Sequence, residues 1–230
     1  MNKNTLAALV LAMAVPAGAQ EYRQQQAQAA EQAYAAMQAE AAKTHGSEVY
    51  SGIRGRALDA TLDAMTSGPV AAGRVMRFLA QKKIDVQFAT QAARVGSGVV
   101  NGRAAVLLSD GLYPAPPIYA ALIAAEAGKS LYADMPACAE RDYMRLATAA
   151  RAYVELGGAI DLAAAEAGRP DNEVNAAVLA WAAGPEKGVE QLSWTHHEPT
   201  LAGSTDAPAA AAFAAFVKDE ADARRDALKR

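Results

Sequence analysis

The chain has 230 residues and a formal net charge of −3, from 22 basic and 25 acidic side chains, which argues against nucleic-acid binding because such proteins carry a basic surface. Hydrophobic residues make up 52% and aromatic residues only 6%, a balance that favours alanine-rich helices closely packed around one core. The single cysteine, Cys138, excludes an internal disulfide. We interpret it as a small buried hydrophobe rather than a dimer bridge or a reactive thiol.

The first residues have the pattern of an export signal. Lys3 precedes an apolar run over residues 5–15, and Ala17-Gly18-Ala19 matches a cleavage site of small residues. The run is too short to span a membrane, and no later apolar stretch is long enough. The sequence therefore predicts a signal peptide over residues 1–19 and a mature protein without a transmembrane segment, either periplasmic or secreted.

The next segments predict helices. Residues 20–46 are rich in alanine and glutamine, with a sparse apolar stripe, and predict a helical arm. This arm is expected to be loosely docked, to become ordered against a partner, or to be a solvated leader. Helical spacing of apolar residues recurs over residues 51–65 and 70–81, and residues 66–69 contain the glycine and proline that separate them.

The hydrophobic period then changes to that of strands. Residues 84–88 alternate apolar and polar side chains, which predicts a strand with one buried face. Asn101-Gly102 is a hairpin turn signal, so residues 99–100 and 104–109 predict a short hairpin whose second strand is an apolar edge strand. The fold class is α+β, mostly helical, with a small antiparallel or mixed sheet packed on a central helix.

Residues 113–158 predict that central helix and a second one, joined by a turn at residues 134–136. Glu126 falls beside the apolar face of the first helix. A carboxylate at such a position is costly unless it is paired or used, so Glu126 is a candidate site residue.

Three further helices are predicted over residues 160–167, over residues 172–183, and from Asp206 onwards. In residues 186–199, for which no helix is predicted, Leu192 and Trp194 are expected to be the apolar anchors. The charged end of the last helix is predicted to be solvated, with Glu220 and Arg224 at the i,i+4 spacing of an ion pair.

The order of these elements over residues 82–158 resembles that of zincin-type metallopeptidases. The segment Leu122-Ile123-Ala124-Ala125-Glu126-Ala127-Gly128-Lys129 resembles the helix that carries the HExxH motif in bacterial metallopeptidase-like proteins. The resemblance implies a zincin-like domain over residues 47–203, followed by a C-terminal helix over residues 204–230. It places Glu126 at the catalytic glutamate position and Glu140 and Asp142 at a downstream acidic pair.

The chain departs from this motif at both zinc-binding histidines, where it has Ala125 and Lys129. Alanine has no donor atom, and a lysine ammonium repels a metal ion. We therefore expect a domain that has lost its metal and its peptidase activity. Lys129 is expected to replace the charge of the zinc by pairing with Glu126, with Glu140 joining from the neighbouring helix. The alternative is that Glu126 and Lys129 form an ordinary exposed i,i+3 pair.

His196-His197-Glu198 is the other cluster of metal-ligating side-chain types. Adjacent histidines reach one metal only with an unusual backbone, so we interpret them as loop residues before Pro199.

The leading expectation is a bacterial, exported pseudoenzyme without a cofactor that binds a protein or peptide partner through the former cleft. One alternative is an atypical metal-dependent hydrolase, zinc-bound, that uses Glu126 with Glu140 or Asp142. Another is a helical envelope protein with a structural or interaction role, whose N-terminal segment serves as an assembly arm. An acidic cleft beside an edge strand over residues 104–109 is expected to favour the first two.

Overall fold

The structure is a computed structural model that describes residues 46–68, 70–90, 93–112, 115–160, 173–196, 199–202 and 204–229. The chain divides into two compact units, residues 1–52 and 53–230. Of the first unit, only residues 46–52 are described, as the beginning of a helix. The predicted signal peptide, most of the predicted arm, and almost all of the predicted helix over residues 160–167 lie outside the described residues.

The described residues form seven helices and three strands. In chain order they are α1 (Gly46–Ser67), α2 (Val70–Lys82), β1 (Asp85–Ala89), β2 (Val95–Val100), β3 (Arg103–Ser109), α3 (Pro116–Leu131), α4 (Ala139–Glu155), α5 (Glu173–Ala183), α6 (Pro185–His196) and α7 (Ala207–Ala227). The prediction of a mostly helical α+β fold with a small mixed sheet is confirmed.

The sheet has the order β1-β3-β2. β3 pairs in parallel with β1, from Asp85↔Ala105 onwards, and antiparallel with β2 through the tight turn at Asn101-Gly102. Both turn residues have a positive φ, 51° and 77°, as such two-residue hairpins require. The hairpin prediction is confirmed.

The prediction that residues 104–109 form an edge strand is wrong. β3 is the central strand of the sheet, because β1 and β2 pair with its two sides. Its apolar run follows from that position, since Ala105, Val106 and Leu108 point to both faces and are all buried. Among the described residues, β2 has no strand paired to its other side and is therefore an edge of the sheet.

Helix α3 lies in the core. Every residue from Tyr119 to Gly128 is buried, as expected for a helix that is apolar all round. Helix α4 packs against it with small residues at the contact, and a Cβ on Gly128 would lie 2.8 Å from the Cγ of Arg145. Glycine at position 128 thus lets the stem of Arg145 cross α3 closely.

The sequence predicted no helix over residues 185–196, and the structure has α6 there. Gly184 ends α5 with φ 91°, and Pro185 starts α6 directly. Trp194 is not an anchor, since 77% of it is exposed on α6, whereas Leu192 is buried as expected.

Glu220 does not pair with Arg224 in solvent. It lies on the buried face of α7 with Phe216, is 3% exposed, and accepts hydrogen bonds from Arg151 Nη1 at 2.7 Å and Trp181 Nε1 at 3.2 Å. The start of α7 agrees with the sequence, because Asp206 Oδ1 caps it by accepting from the Ala209 N–H at 3.0 Å.

Candidate functional site

Glu126 is the centre of a polar cluster between α3 and β2. It is 5% exposed, so its carboxylate lies in the apolar surroundings that the sequence predicted. Ser97 Oγ, on β2, donates to Oε1 at 2.5 Å, and Lys129 Nζ lies 2.6 Å from Oε2. Both oxygens of the buried carboxylate are therefore satisfied, one by a hydroxyl and one by a cation.

The Glu126–Lys129 pair is more than an exposed i,i+3 contact. The Glu126 side chain is 4% exposed, whereas that of Lys129 is 57% exposed. The ammonium thus neutralises a buried carboxylate from the solvent side. The expected ion pair is present, and its buried half explains why glutamate is tolerated in α3.

Glu140 does not join this cluster. Its Oε1 accepts the Leu201 N–H at 2.9 Å, and its Oε2 is buried without a hydrogen-bond partner in the described part of the chain. The residue before it, Ala139, donates its N–H to Pro199 O at 2.9 Å. Glu140 therefore holds the segment 199–202 against α4, and the expected three-residue network with Glu126 and Lys129 is wrong.

Asp142 lies near Lys129 but not at the Glu126 carboxylate. It lines a cavity of about 110 Å³ between the end of α3 and the start of α4, together with Gly128, Lys129, Arg141 and Arg145. Asp142 Oδ1 lies 3.7 Å from Arg145 Nε, a long ion pair between two half-buried side chains. The structure thus brings three of the four predicted site residues to one end of the α3–α4 pair and separates Glu140 from them.

Cys138 is buried, 2% exposed, which confirms the sequence interpretation. Its Sγ accepts the Arg141 N–H at 3.5 Å as the N-cap of α4. Burial raises the pKa of the thiol above its ordinary value, and the neighbouring Glu140 carboxylate acts in the same direction. A thiol in this state is a poor nucleophile.

The residues around Glu126 do not fit a zinc ion. Ala125 offers no donor, and the Lys129 ammonium occupies the side of the carboxylate where a cation would bind. Among the described residues, no three or more histidine, cysteine, aspartate or glutamate side chains are placed to hold a metal. The side chains of His196, His197 and Glu198 lie outside the description, so their interpretation as loop residues stays a prediction; the backbone of His196 itself ends α6.

Sequence reasoning missed Ser97, Arg141 and Arg145. Ser97 lies between two glycines, and its alternation with Val95 on a strand would have placed it on the face that packs on α3. Arg141 and Arg145 are four residues apart on α4 and share one face. That spacing is visible in the sequence, but only the packing of α4 on α3 shows that both arginines line the same cavity as Lys129.

A second buried polar cluster holds the helices in place. Arg151 on α4 pairs with Glu155 through Nε at 2.9 Å and with Glu220 of α7 through Nη1 at 2.7 Å. Glu155 in turn accepts the N–H groups of Ala71 and Ala72, at 2.9 to 3.1 Å, at the start of α2. Burial raises the pKa of Glu220 above its ordinary value, although the hydrogen bond and charge of Arg151 oppose this.

A larger groove of about 490 Å³ lies along β1. Its lining is mostly apolar and comes from α1, α2 and β1: Leu62, Met76, Leu79, Ala80, Ile84, Asp85, Val86 and Gln87. It contains none of the predicted site residues.

No protein-family model matches the chain, and no curated protein or solved structure is significantly similar to it. The resemblance to zincins therefore stays a prediction. Within the described residues, each helix is either too short or too polar to cross a lipid bilayer, in agreement with the sequence.

Proposed function

We propose that this chain is an exported, non-catalytic, zincin-like protein that binds an extended peptide segment of a protein partner along the edge of β2, beside Glu126. The observation that carries the proposal is the edge of β2, which is unpaired within the part of the chain that the structure describes and lies next to a polar cluster on α3. Exposed strand edges are templates for added strands, and peptide-binding domains use them in this way.

The hydrogen-bond register shows which residues of β2 offer that edge. Ser109 N donates to Arg94 O at 2.9 Å, and hydrogen-bonded pairs alternate along an antiparallel ladder. Ser97 and Val99 therefore belong to the non-bonded pairs, so their N–H and C=O groups point away from β3. Val99 is 72% exposed and Ser97 is also exposed, so this stretch of β2 is open to solvent among the described residues.

The test is an affinity selection with a random 12-residue peptide library, followed by binding of the selected synthetic peptides to the mature chain. Val99→Pro removes an N–H that belongs to the free edge and not to the β2–β3 ladder, and proline is tolerated at strand edges. We expect it to abolish peptide binding while the circular-dichroism spectrum stays unchanged. Val99→Thr keeps the N–H and is the matched control. Equal binding by the two variants would contradict strand addition at β2.

A second candidate function, peptide hydrolysis, is favoured by the contact between Ser97 Oγ and Glu126, because a carboxylate can accept the proton of a hydroxyl nucleophile. Fluorogenic peptide substrates distinguish the two candidates. Turnover that is lost in both Ser97→Ala and Glu126→Gln would establish the hydrolase, whereas binding without turnover supports the proposal. Metal content, measured after purification without chelator, tests the metal-dependent form of that hydrolase.

Export rests on residues 1–19. When the full-length chain is expressed in a bacterial host, we expect the periplasm or medium to contain a protein that begins at Gln20. Mass spectrometry of the intact protein checks this, and an uncleaved chain confined to the cytoplasm would contradict it.

A further inference from the structure

The small cavity between α3 and α4 has an unusual charge for this acidic chain. Three of its five lining residues are cations, Lys129, Arg141 and Arg145, and one is an acid, Asp142. Counting the Glu126 carboxylate that pairs with Lys129, three positive charges face two negative ones, a surplus of +1 in a chain of net charge −3. The cavity is therefore locally suited to an anion.

The cations are only partly engaged. Lys129 pairs with Glu126 on its inner side and is 57% exposed on the other. Arg145 has a long contact of 3.7 Å with Asp142. In the described part of the chain, the Arg141 guanidinium has no ion pair, although its residue is half-buried at the cavity wall. Guanidinium groups with free donors at a cavity wall are the groups that proteins use to bind carboxylates and phosphates.

The size of the cavity limits what it can hold. About 110 Å³ accommodates a single oxyanion group, since one water molecule takes up about 30 Å³ of the liquid. The cavity thus suits one carboxylate-sized group carried by a larger ligand.

The cavity is connected to the free edge of β2 by side chains. Lys129 lines the cavity and contacts Glu126, and Glu126 accepts the hydroxyl hydrogen of Ser97 on β2. A bound peptide that passes Ser97 along the edge is therefore separated from the cavity only by the side chains of Glu126 and Lys129.

We propose that the cavity lined by Lys129, Arg141 and Arg145 recognises an acidic group of the peptide that binds along β2, either an aspartate or glutamate side chain or the terminal carboxylate. This inference rests on the proposed function and adds its selectivity: the partner segment is acidic. Arg141 supplies the charge-assisted hydrogen bonds, and Lys129 shares its charge between Glu126 and the ligand.

The experiment uses the mature chain and sets of synthetic peptides derived from the library selection. One set compares peptides that keep the acidic side chain with peptides in which Asn or Gln replaces it. A second set lacks acidic side chains and compares a free C-terminal carboxylate with a C-terminal amide. We expect Arg141→Gln to weaken the acidic peptides about tenfold and to leave the amide peptides unchanged. Arg225→Gln, which removes an exposed cation elsewhere, is the control for net charge. The set with and without the terminal carboxylate distinguishes the two sources of the acidic group.

The outcomes distinguish recognition of an acidic group by the cavity from peptide binding along β2. If Arg141→Gln weakens acidic and amide peptides alike, or neither, the inference is wrong while peptide binding stands. If no peptide binds, both fail. In that case, titration with inorganic phosphate and acetate shows whether the cavity holds a free anion instead, which would also overturn the proposal as stated.

Discussion

Arg151→Met is expected to destabilise the fold strongly and in a pH-dependent manner. Among the described residues, Arg151 is the only cation that forms an ion pair with the buried carboxylate of Glu220, and it also pairs with Glu155. The side chains of Arg151, Glu220 and Glu155 are 9%, 4% and 10% exposed. Removing one partner of such a pair costs about 3–5 kcal/mol. Glu155 keeps the backbone N–H groups of Ala71 and Ala72, so most of the loss falls on Glu220 and we expect about 3–4 kcal/mol.

The pH dependence follows from the direction of the shift. The pKa of Glu220 is raised by burial, and Arg151 opposes that rise, so Arg151→Met raises this pKa further. A carboxyl whose pKa is raised on folding contributes stability at pH values below its unfolded pKa and loses that contribution as the pH rises through its folded pKa. In Arg151→Met, protonation removes the unpaired charge of Glu220. The loss of unfolding free energy relative to the wild type is therefore expected to become smaller from about pH 7 to about pH 5.

Urea unfolding of the wild type and the variant at both pH values measures these differences. Arg225→Met is the matched control, because Arg225 and Asp222 form an exposed pair at 3.0 Å that is worth at most about 1 kcal/mol. A loss below about 1 kcal/mol for Arg151→Met, or the same loss at both pH values, would refute the reasoning.

Three further predictions concern single side chains. Lys129→Met is expected to cost about 1–2 kcal/mol in urea unfolding, because it leaves the buried Glu126 carboxylate with Ser97 alone, and adding Glu126→Gln is expected to recover much of the loss. No loss would count against Lys129 as the neutralising charge. Gly188→Ala places a Cβ 2.6 Å from a Tyr143 ring carbon and 2.7 Å from the backbone oxygen of Ala180, and a drop of about 1–3 kcal/mol in the free energy of unfolding is expected. An unchanged unfolding midpoint would contradict close packing of α6 on α4 and α5 at this position. Cys138 is expected to react with a thiol reagent only in denaturant, and rapid native labelling would contradict its raised pKa and burial.

The helix pair could be predicted from the sequence because its signals are local. Residues 113–158 combine an apolar helical run, a turn with proline and a glycine stop, and α3 and α4 end within a few residues of these marks. The position of Glu126 beside an apolar face could also be inferred, since residues 122–125 before it are all apolar, although Lys129 and Ser130 one turn later are polar.

The position of β3 could not be predicted in this way. Its apolar run fits a central strand or an edge strand that packs on a helix. Which of the two it is depends on the parallel pairing of β3 with β1, which precedes it in the chain with β2 in between. Such pairing is a long-range contact without a local signal.

Glu220 shows the same limit in a helix. At the i,i+4 spacing with Arg224 it matches a solvated pair, and only the approach of Arg151 and Trp181 from two other helices gives it a reason to point inward. Side-chain direction near a helix end depends on the neighbours that tertiary packing supplies. The same holds for Ser97, whose partner is 29 residues away.

Comparison of the buried carboxylates indicates which of them belongs to a site. The partners of Glu220 are Arg151 and Trp181, both less than 10% exposed, so this group serves the packing of α4, α5 and α7 and offers nothing to a ligand. Glu126 is equally buried, but its partners are an exposed serine on a strand edge and a lysine that is more than half exposed. A ligand at that edge can therefore change the hydrogen bonding of a buried charge without entering the core. This difference in the exposure of the partners, rather than the burial of the carboxylates, is the physical reason to assign Glu126 to binding and Glu220 to stability.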